Sequence, residues 1–332
     1  MKALALLSGG LDSTLAIKVI LDEGIEVEAV NFFTPFCQCN RESGCGEYEA
    51  KKAADRLGIK LKIFNIAHEF IEIVKNPKHG YGKNLNPCID CRILMHKKAK
   101  EYMEKIGASF VVTGEVLGQR PMSQHRVALR MIEKESGLEG LVLRPLSAKL
   151  LPLTIPEIEG WVKRERLLEI SGRSRKVQMA LAESYEIKDY PCPAGGCLLT
   201  DSGFARRMKD LLSFAEVTLN DIELLKVGRH FRLSQKARLV VGRDKEENEK
   251  LFRLAKEDDI CFRPVEVKGP IGIGRGSFND NLVFLASQIV ARYSDGALFH
   301  KVKISVGTHL AKDTTLIIAD RIINEDLVNC RI

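Results

Sequence analysis

The sequence predicts an α/β protein, a doubly wound parallel sheet joined to a second α+β domain. Three observations carry this. Apolar runs and amphipathic stretches alternate at short spacing up to about residue 146, the pattern of strands and crossover helices that cover both faces of a parallel sheet. Uninterrupted apolar runs such as Phe110-Val111-Val112 suit strands buried on both sides. The 332 residues exceed one ordinary domain, and the rhythm changes past about residue 140. The expected organisation is 1–200 and 201–332.

In order, residues 2–7 read as an apolar strand. It is too short for a signal-peptide core, because Ser8-Gly9-Gly10 interrupts it. A helix is expected over 13–23, with Leu15, Ala16, Val19 and Ile20 on one face and Gly24 closing it. Strand 25–33, helix 47–57 closed by Gly58, and strand 60–66 follow. Helix 91–106 is closed by Gly107, and strand 109–113 ends at Gly114. One more strand is expected at 141–146. Thr154 reads as an N-cap with Pro156 in the first turn. Residues 163–176 are strongly basic, and 189–200 form a Pro/Gly/Cys loop. Beyond them the pattern predicts helices near 202–226, strands near 229–242, a helix near 244–256, strands near 260–275 and a helix near 279–292.

Hydrophobic residues make up 45% and charged residues 29% of the chain, which excludes disordered and fibrous classes. No apolar run approaches the roughly 20 residues that span a bilayer, so a cytoplasmic protein without membrane contact is expected. The net charge of +7 permits a polyanionic partner without demanding one. A single Trp and 6% aromatic residues argue against a base-stacking surface. Nine cysteines without a secretion signal point to metal binding or catalysis rather than disulfides. They cluster as Cys37, Cys39 and Cys45, then Cys88 and Cys91, then Cys192 and Cys197. Cys261 and Cys330 read as isolated buried thiols.

The sharpest motif is Ser8-Gly9-Gly10-Leu11-Asp12-Ser13, between a strand and a helix. Two glycines let backbone approach an anion, and the N–H groups of the following first turn point at it. Ser8 and Ser13 offer hydroxyls to phosphate oxygens. Asp12 repels phosphate directly and makes sense through Mg²⁺ or by orienting a neighbour. The spacing is not that of a Walker loop, which needs its lysine. The hexapeptide resembles the PP-loop, the pyrophosphate-binding signature of ATPases that cleave ATP to AMP and pyrophosphate. Thr113-Gly114-Glu115-Val116-Leu117-Gly118-Gln119, followed by Ser123-Gln124 and by Arg144-Pro145-Leu146, is similar to segments of the tRNA 4-thiouridine synthetases (tRNA sulfurtransferases). That resemblance spans about 1–200 and implies an adenine nucleotide α-hydrolase-like fold. Its expected ATP and Mg²⁺ site is Ser8, Gly9, Gly10, Asp12 and Ser13, with Asn31, Phe32, Thr113 and Gly114 framing adenosine and the α-phosphate.

Pro87-Cys88-Ile89-Asp90-Cys91 sets a CxxC at a helix start, where the helix terminus favours thiolates. Cys192 and Cys197 add further thiols. Three readings stand on the residues: Zn²⁺ held by Cys88, Cys91, Cys192 and Cys197; a redox pair forming a persulfide and a disulfide; or a [4Fe-4S] cluster on three cysteines with one iron open. The resemblance implies the cluster, with Cys88, Cys91 and either Cys192 or Cys197, and gives Asp12, Cys91 and Cys197 the catalytic roles. Cys37, Cys39 and Cys45 read as a second metal site or as nonfunctional loop thiols.

Related enzymes carry a THUMP domain ahead of the PP-loop domain and in some cases a rhodanese domain. Their absence here implies sulfur arriving as sulfide or from a separate donor protein. From Leu239-Val240-Val241-Gly242-Arg243 through Asn248 and on to Gly269-Pro270, the chain resembles the RNA-binding domain of NFACT-class proteins. That resemblance offers Arg243, Lys245, Arg263, Lys268 and Arg275 as phosphate contacts. The expected function is ATP-dependent tRNA thiolation, by adenylation of a uracil carbonyl and replacement of AMP by sulfur, with base flipping. The rivals are an AMP-forming ligase or amidotransferase on a small carboxylate with structural zinc, and a non-catalytic RNA-binding protein with a nucleotide switch. A homodimer is left open.

Overall fold

A computed structural model describes residues 1–37, 46–188, 190, 196–295, 301–309 and 314–332. The chain divides into two compact units, Met1–Asp201 and Ser202–Ile332. Cys39, Cys45 and Cys192 lie outside the described residues.

In the first unit, strands β1 (Lys2–Leu6), β2 (Glu26–Phe33), β3 (Lys60–Asn65), β4 (Phe110–Thr113) and β5 (Val142–Leu143) form one sheet in the order β3-β2-β1-β4-β5. Every pairing is parallel. Helices α1 (Leu11–Leu21) and α2 (Gly46–Leu57) connect β1 to β2 and β2 to β3. Helices α3 (Ala67–Lys75) and α4 (Cys88–Lys105) then carry the chain back past β1 to β4. Alternation within the strands separates two cores. Ala3, Ala5, Val27, Ala29, Phe110 and Val112 pack with Leu15, Ala16 and Val19 of α1. Leu4, Val30, Val111 and Val142 pack with Ala99 and Met103 of α4. The strand order reverses between β1 and β4, and in doubly wound sheets ligands bind outside the carboxyl ends of the strands at that reversal. Leu6 is in register with both Val30 and Thr113, so the Ser8 turn, Asn31 and Gly114 come out along one edge.

Several expectations shift. Helix α1 begins at Leu11, so Asp12 and Ser13 lie in its first turn. Helix α4 begins at Cys88, so the whole CxxC is helical. The strand expected over 141–146 shrinks to Val142–Leu143, after which Arg144 turns into a buried ion pair. Helices α3 and α5 (Arg126–Ser136) were not anticipated. After α6 (Ile155–Ile158), a single turn with the expected N-cap at Thr154, which forms a capping box with Glu157, comes α7 (Lys176–Ser184). The basic run is partly neutralised, since Arg164 pairs with Glu157 at 2.5 Å and Arg166 with Glu23 at 3.2 Å.

The second unit opens with α8 (Ser202–Phe214) and α9 (Leu219–Leu225). Its strands β6 (Arg229–Ser234), β7 (Ala237–Val241), β8 (Ile260–Pro264), β9 (Gly272–Gly276), β10 (Lys301–Thr308) and β11 (Thr315–Asp320) form an antiparallel sheet ordered β11-β10-β8-β9-β7-β6. Helix α11 (Asp280–Arg292) packs Ala286, Ile289 and Val290 on one face. Leu224 of α9 and Leu251 of α10 (Lys245–Leu254) cover the other face. Helix α12 (Asn324–Cys330) follows β11. Gly242 leaves room for Asn248, whose Oδ1 accepts the Ile271 N–H at 3.0 Å.

Arg275 is committed to an internal ion-pair network. Its guanidinium donates to Asp259 Oδ2 at 2.6 Å and to Asp221 Oδ1 at 2.7 Å, and Arg238 pairs with the same Asp221. Burial raises the Asp221 pKa, but Thr218, Arg275 and Arg238 outweigh it and hold the carboxyl at about 2. Arg275→Ala is expected to destabilise this unit by roughly 2–3 kcal/mol, because its charge-assisted bonds to Asp259 and Asp221 go and both acids lose a partner. A thermal melt checks this; unchanged melting with weakened polyanion binding would contradict it.

Candidate active site

The turn between β1 and α1 is folded on itself by hydroxyls. Ser13 Oγ donates to the Gly10 carbonyl at 2.9 Å and lies 3.1 Å from Ser8 Oγ. The Gly10 N–H reaches Ser8 Oγ at 3.3 Å. Gly9 has φ 78°, and a Cβ there would meet Glu49 C at 2.5 Å. Glycine is therefore required both for the left-handed backbone and for the close approach of α2. A Cβ on Gly114 would fall on the backbone of Asp12 and Ser13. The β4 loop is thus pressed against the first turn of α1, and Thr113, itself buried, ends the strand beside it.

Segment 113–124 ties this turn to the thiols. Gln119 Nε2 donates to Asp12 Oδ2 at 3.0 Å, while the buried Asp12 Oδ1 has no hydrogen-bond partner. Four residues on, Ser123 Oγ accepts the Cys88 thiol at 3.2 Å. Arg120 stands between them. Desolvation and then Arg92 lower its pKa, while Cys88, Asp12 and Glu115 oppose the fall. An arginine keeps its charge in any case, so a cation lies within electrostatic reach of both Asp12 in the Ser8–Ser13 turn and the Cys88 thiol.

Behind this segment is a buried charge network. Glu115 accepts Arg144 Nε at 3.1 Å and lies 3.6 Å from Arg92 Nε. Arg144 also pairs with Glu133. Burial pushes Glu115 up, but Arg144 and Arg92 together overcome it and hold the carboxyl at about 2. His96 Nδ1 lies 2.8 Å from the Arg92 carbonyl, and burial holds the imidazole neutral with a pKa of about 4. Asp90, between the two cysteines of the CxxC, accepts the His79 N–H at 3.0 Å and faces His79 Nδ1 at 2.9 Å. His79 Nε2 in turn meets Glu135 at 2.9 Å.

Cys88, Cys91 and Cys197 come within electrostatic range of one another, and Cys37 joins them at Cys197. Burial raises the Cys91 thiol well above its ordinary value, with Arg92 opposing. Burial likewise pushes Cys197 up to about 12, opposed by a backbone bond from Leu199, with Cys88 and Cys37 adding to the rise. Among the described residues no three His, Cys, Asp or Glu side chains converge closely enough to hold a metal ion.

Asn31 and Phe32 stand at the end of β2, each with a contact inside the protein. Asn31 Nδ2 donates to the Leu7 carbonyl at 2.8 Å, which ties β2 to the end of β1. Phe32 stacks on Phe64 with ring centroids 5.9 Å apart. Sequence reasoning gave no role to Gln119, Arg120 or Arg92. Gln119 lay inside a motif already singled out, and that placement was the available signal.

A family model described as thiamine biosynthesis protein (ThiI) matches residues 1–184. A second, described as NFACT protein RNA binding domain, matches residues 228–329. The tRNA-specific 2-thiouridylase MnmA of Sulfurimonas denitrificans is 37% identical over 123 residues, covering 35% of this chain and 35% of the relative. The MnmA of Treponema denticola is 26% identical over 246 residues, covering 69% and 63%. A probable tRNA sulfurtransferase of Methanosarcina acetivorans is 27% identical over 189 residues, covering 55% and 42%. The chain thus spans between about a third and two thirds of the length of these curated relatives.

Proposed function

The chain belongs to the thiamine biosynthesis protein (ThiI) family, whose model covers more than half of it, and from that membership we propose an ATP-dependent tRNA sulfurtransferase of the PP-loop class. The observation that carries this reading is segment 113–124, which holds Asp12 through Gln119 and Cys88 through Ser123. Nucleotide activation and sulfur chemistry need one substrate atom within reach of both sites, and this segment joins the two.

In the reading, the N–H groups and hydroxyls of Ser8, Gly9, Gly10 and Ser13 receive the β- and γ-phosphates of ATP. The buried, unpartnered Asp12 Oδ1 suits a hard cation; Mg²⁺ there would neutralise charge on the departing pyrophosphate. Thr113 and Gly114 border the α-phosphate, and Arg120 offers it a positive charge. The uracil carbonyl oxygen attacks the α-phosphorus, the α–β bridge bond breaks and pyrophosphate leaves. A sulfur nucleophile, from sulfide or a separate donor protein, then attacks the adenylated carbon. The C–O bond breaks, AMP leaves and a thiouridine remains. Arg120 also lies within electrostatic reach of Cys88 and Cys197 and favours the Cys197 thiolate, which burial otherwise resists.

Among the described residues no three donors stand at the spacing of a single metal ion; a [4Fe-4S] cluster would be held by Cys88 and Cys91 with Cys197, which lie within electrostatic range of one another, or with Cys192, which lies outside the described residues. Iron content and visible absorption of anaerobically purified protein test that directly. The match to the NFACT protein RNA binding domain supports the second unit as the part that holds tRNA, with Arg243, Lys245, Arg263 and Lys268 as candidate phosphate contacts. The deciding experiment is mass spectrometry of nucleosides from tRNA of a deletion strain. A missing thionucleoside, restored by the wild-type gene, is expected. An unchanged profile, with ATP–pyrophosphate exchange triggered by a small acid, would favour the AMP-forming ligase reading instead.

A further inference from the structure

Phe36 and Cys37, which follow β2, run antiparallel to Cys197 and Leu198. The Leu198 N–H donates to the Phe36 carbonyl at 2.7 Å, and Cys37 and Cys197 are the two residues paired across this isolated bridge. A bond from the residue after one partner to the residue before the other marks a non-hydrogen-bonded antiparallel pair. In such a pair the Cα atoms are about 4.5 Å apart and the side chains leave the same face at their closest spacing. A disulfide needs Cα atoms roughly 4.4–6.8 Å apart. Neither cysteine is fully buried.

We propose that Cys37 and Cys197 are a dithiol–disulfide pair, closed by a two-electron oxidant of the peroxide class and reopened by a thiol reductant. One thiolate attacks the peroxide, the O–O bond breaks, and a sulfenic acid and water form. The second thiol attacks that sulfur and expels a second water as the S–S bond closes. Two thiols lose two electrons and two protons, and the peroxide becomes two waters. Cys37 therefore belongs to the thiol wall rather than to an inert loop or a separate metal site. Oxidation withdraws Cys197 from Cys88 and Cys91. The disulfide rests on backbone geometry alone, whereas its effect on thiolation rests on the function proposed above.

The test uses full-length Cys39→Ser/Cys192→Ser protein, treated with hydrogen peroxide, alkylated and digested with trypsin. The expected product joins peptide 19–41 to peptide 189–206, vanishes with dithiothreitol and falls to background in a further Cys37→Ser variant. Oxidation that joins 189–206 to the 84–92 peptide instead, or that joins neither, would overturn the pairing. Thiolation by the untreated wild-type protein is scored separately, so failure of the functional reading leaves the peptide map unaffected.

Discussion

Asp12→Asn is expected to lower pyrophosphate release from ATP by about 10²–10³-fold while the protein stays folded. One carboxylate oxygen is already committed to Gln119 at 3.0 Å. The other is buried without a partner, so it is available to a cation. Asn preserves the shape and can still accept the Gln119 bond, but it removes the negative charge. The cost to the fold is small, because Asp12 sits in the first turn of α1, where an acidic side chain contributes only about 0.3–1 kcal/mol through the helix dipole. A pyrophosphate-release assay beside a thermal melt separates the two effects. Loss of activity that merely tracks loss of folding would contradict the assignment, as would full activity.

Glu115→Ala is expected to destabilise the first unit by about 3–5 kcal/mol, the cost of leaving a buried charge unpaired. Glu115 holds Arg144, whose side chain is 4% exposed, and faces Arg92. Glu133 still touches Arg144, which places the cost toward the lower end. The same pair sets an acid limit. Glu115 titrates near 4.5 when free and at about 2 in the fold. A depressed carboxylate contributes stability above its free value and loses it as pH falls from about 4.5 toward 2. His96, with its pKa lowered from 6.5 to about 4, also favours the folded state at higher pH, and that contribution is lost as pH falls from 6.5 to 4. Denaturant midpoints at pH 7 and pH 3 measure both. Wild type should lose the Glu115 part on acidification, whereas Glu115→Ala has already lost it and should change less. Equal acid sensitivity in the two proteins would contradict the ion-pair account.

These residues mark the boundary of what the sequence makes legible. The Ser8–Ser13 turn is contiguous, and its glycines, hydroxyls and flanking strand and helix all lie within a few residues, so the motif stands out in the sequence. Strand and helix alternation, and the closing glycines Gly24, Gly58 and Gly107, all with positive φ, are likewise local. Partner choice is not local. Hydrophobic periodicity reports that a face is buried, not what crosses it, so Gln119 on Asp12, Ser123 on Cys88 and Cys37 opposite Cys197 emerge only in three dimensions. Charge has the same ambiguity. Arg275 and Arg243 look alike in sequence, yet Arg275 is locked between Asp221 and Asp259 while the Arg243 side chain is half exposed. Strand β10 also carries a local signal, because buried Val302, Ile304 and Val306 alternate with exposed Lys301 and Lys303 and half-buried Ser305.

The most direct measurement follows the α-phosphate. Purified protein is incubated with sulfide, ATP labelled at the α-phosphorus, and tRNA from the deletion strain. The expected result is labelled AMP and a thionucleoside in equal amounts. Formation of ADP, or of AMP without any thionucleoside, would contradict the union of phosphate turn and thiol wall in one active site.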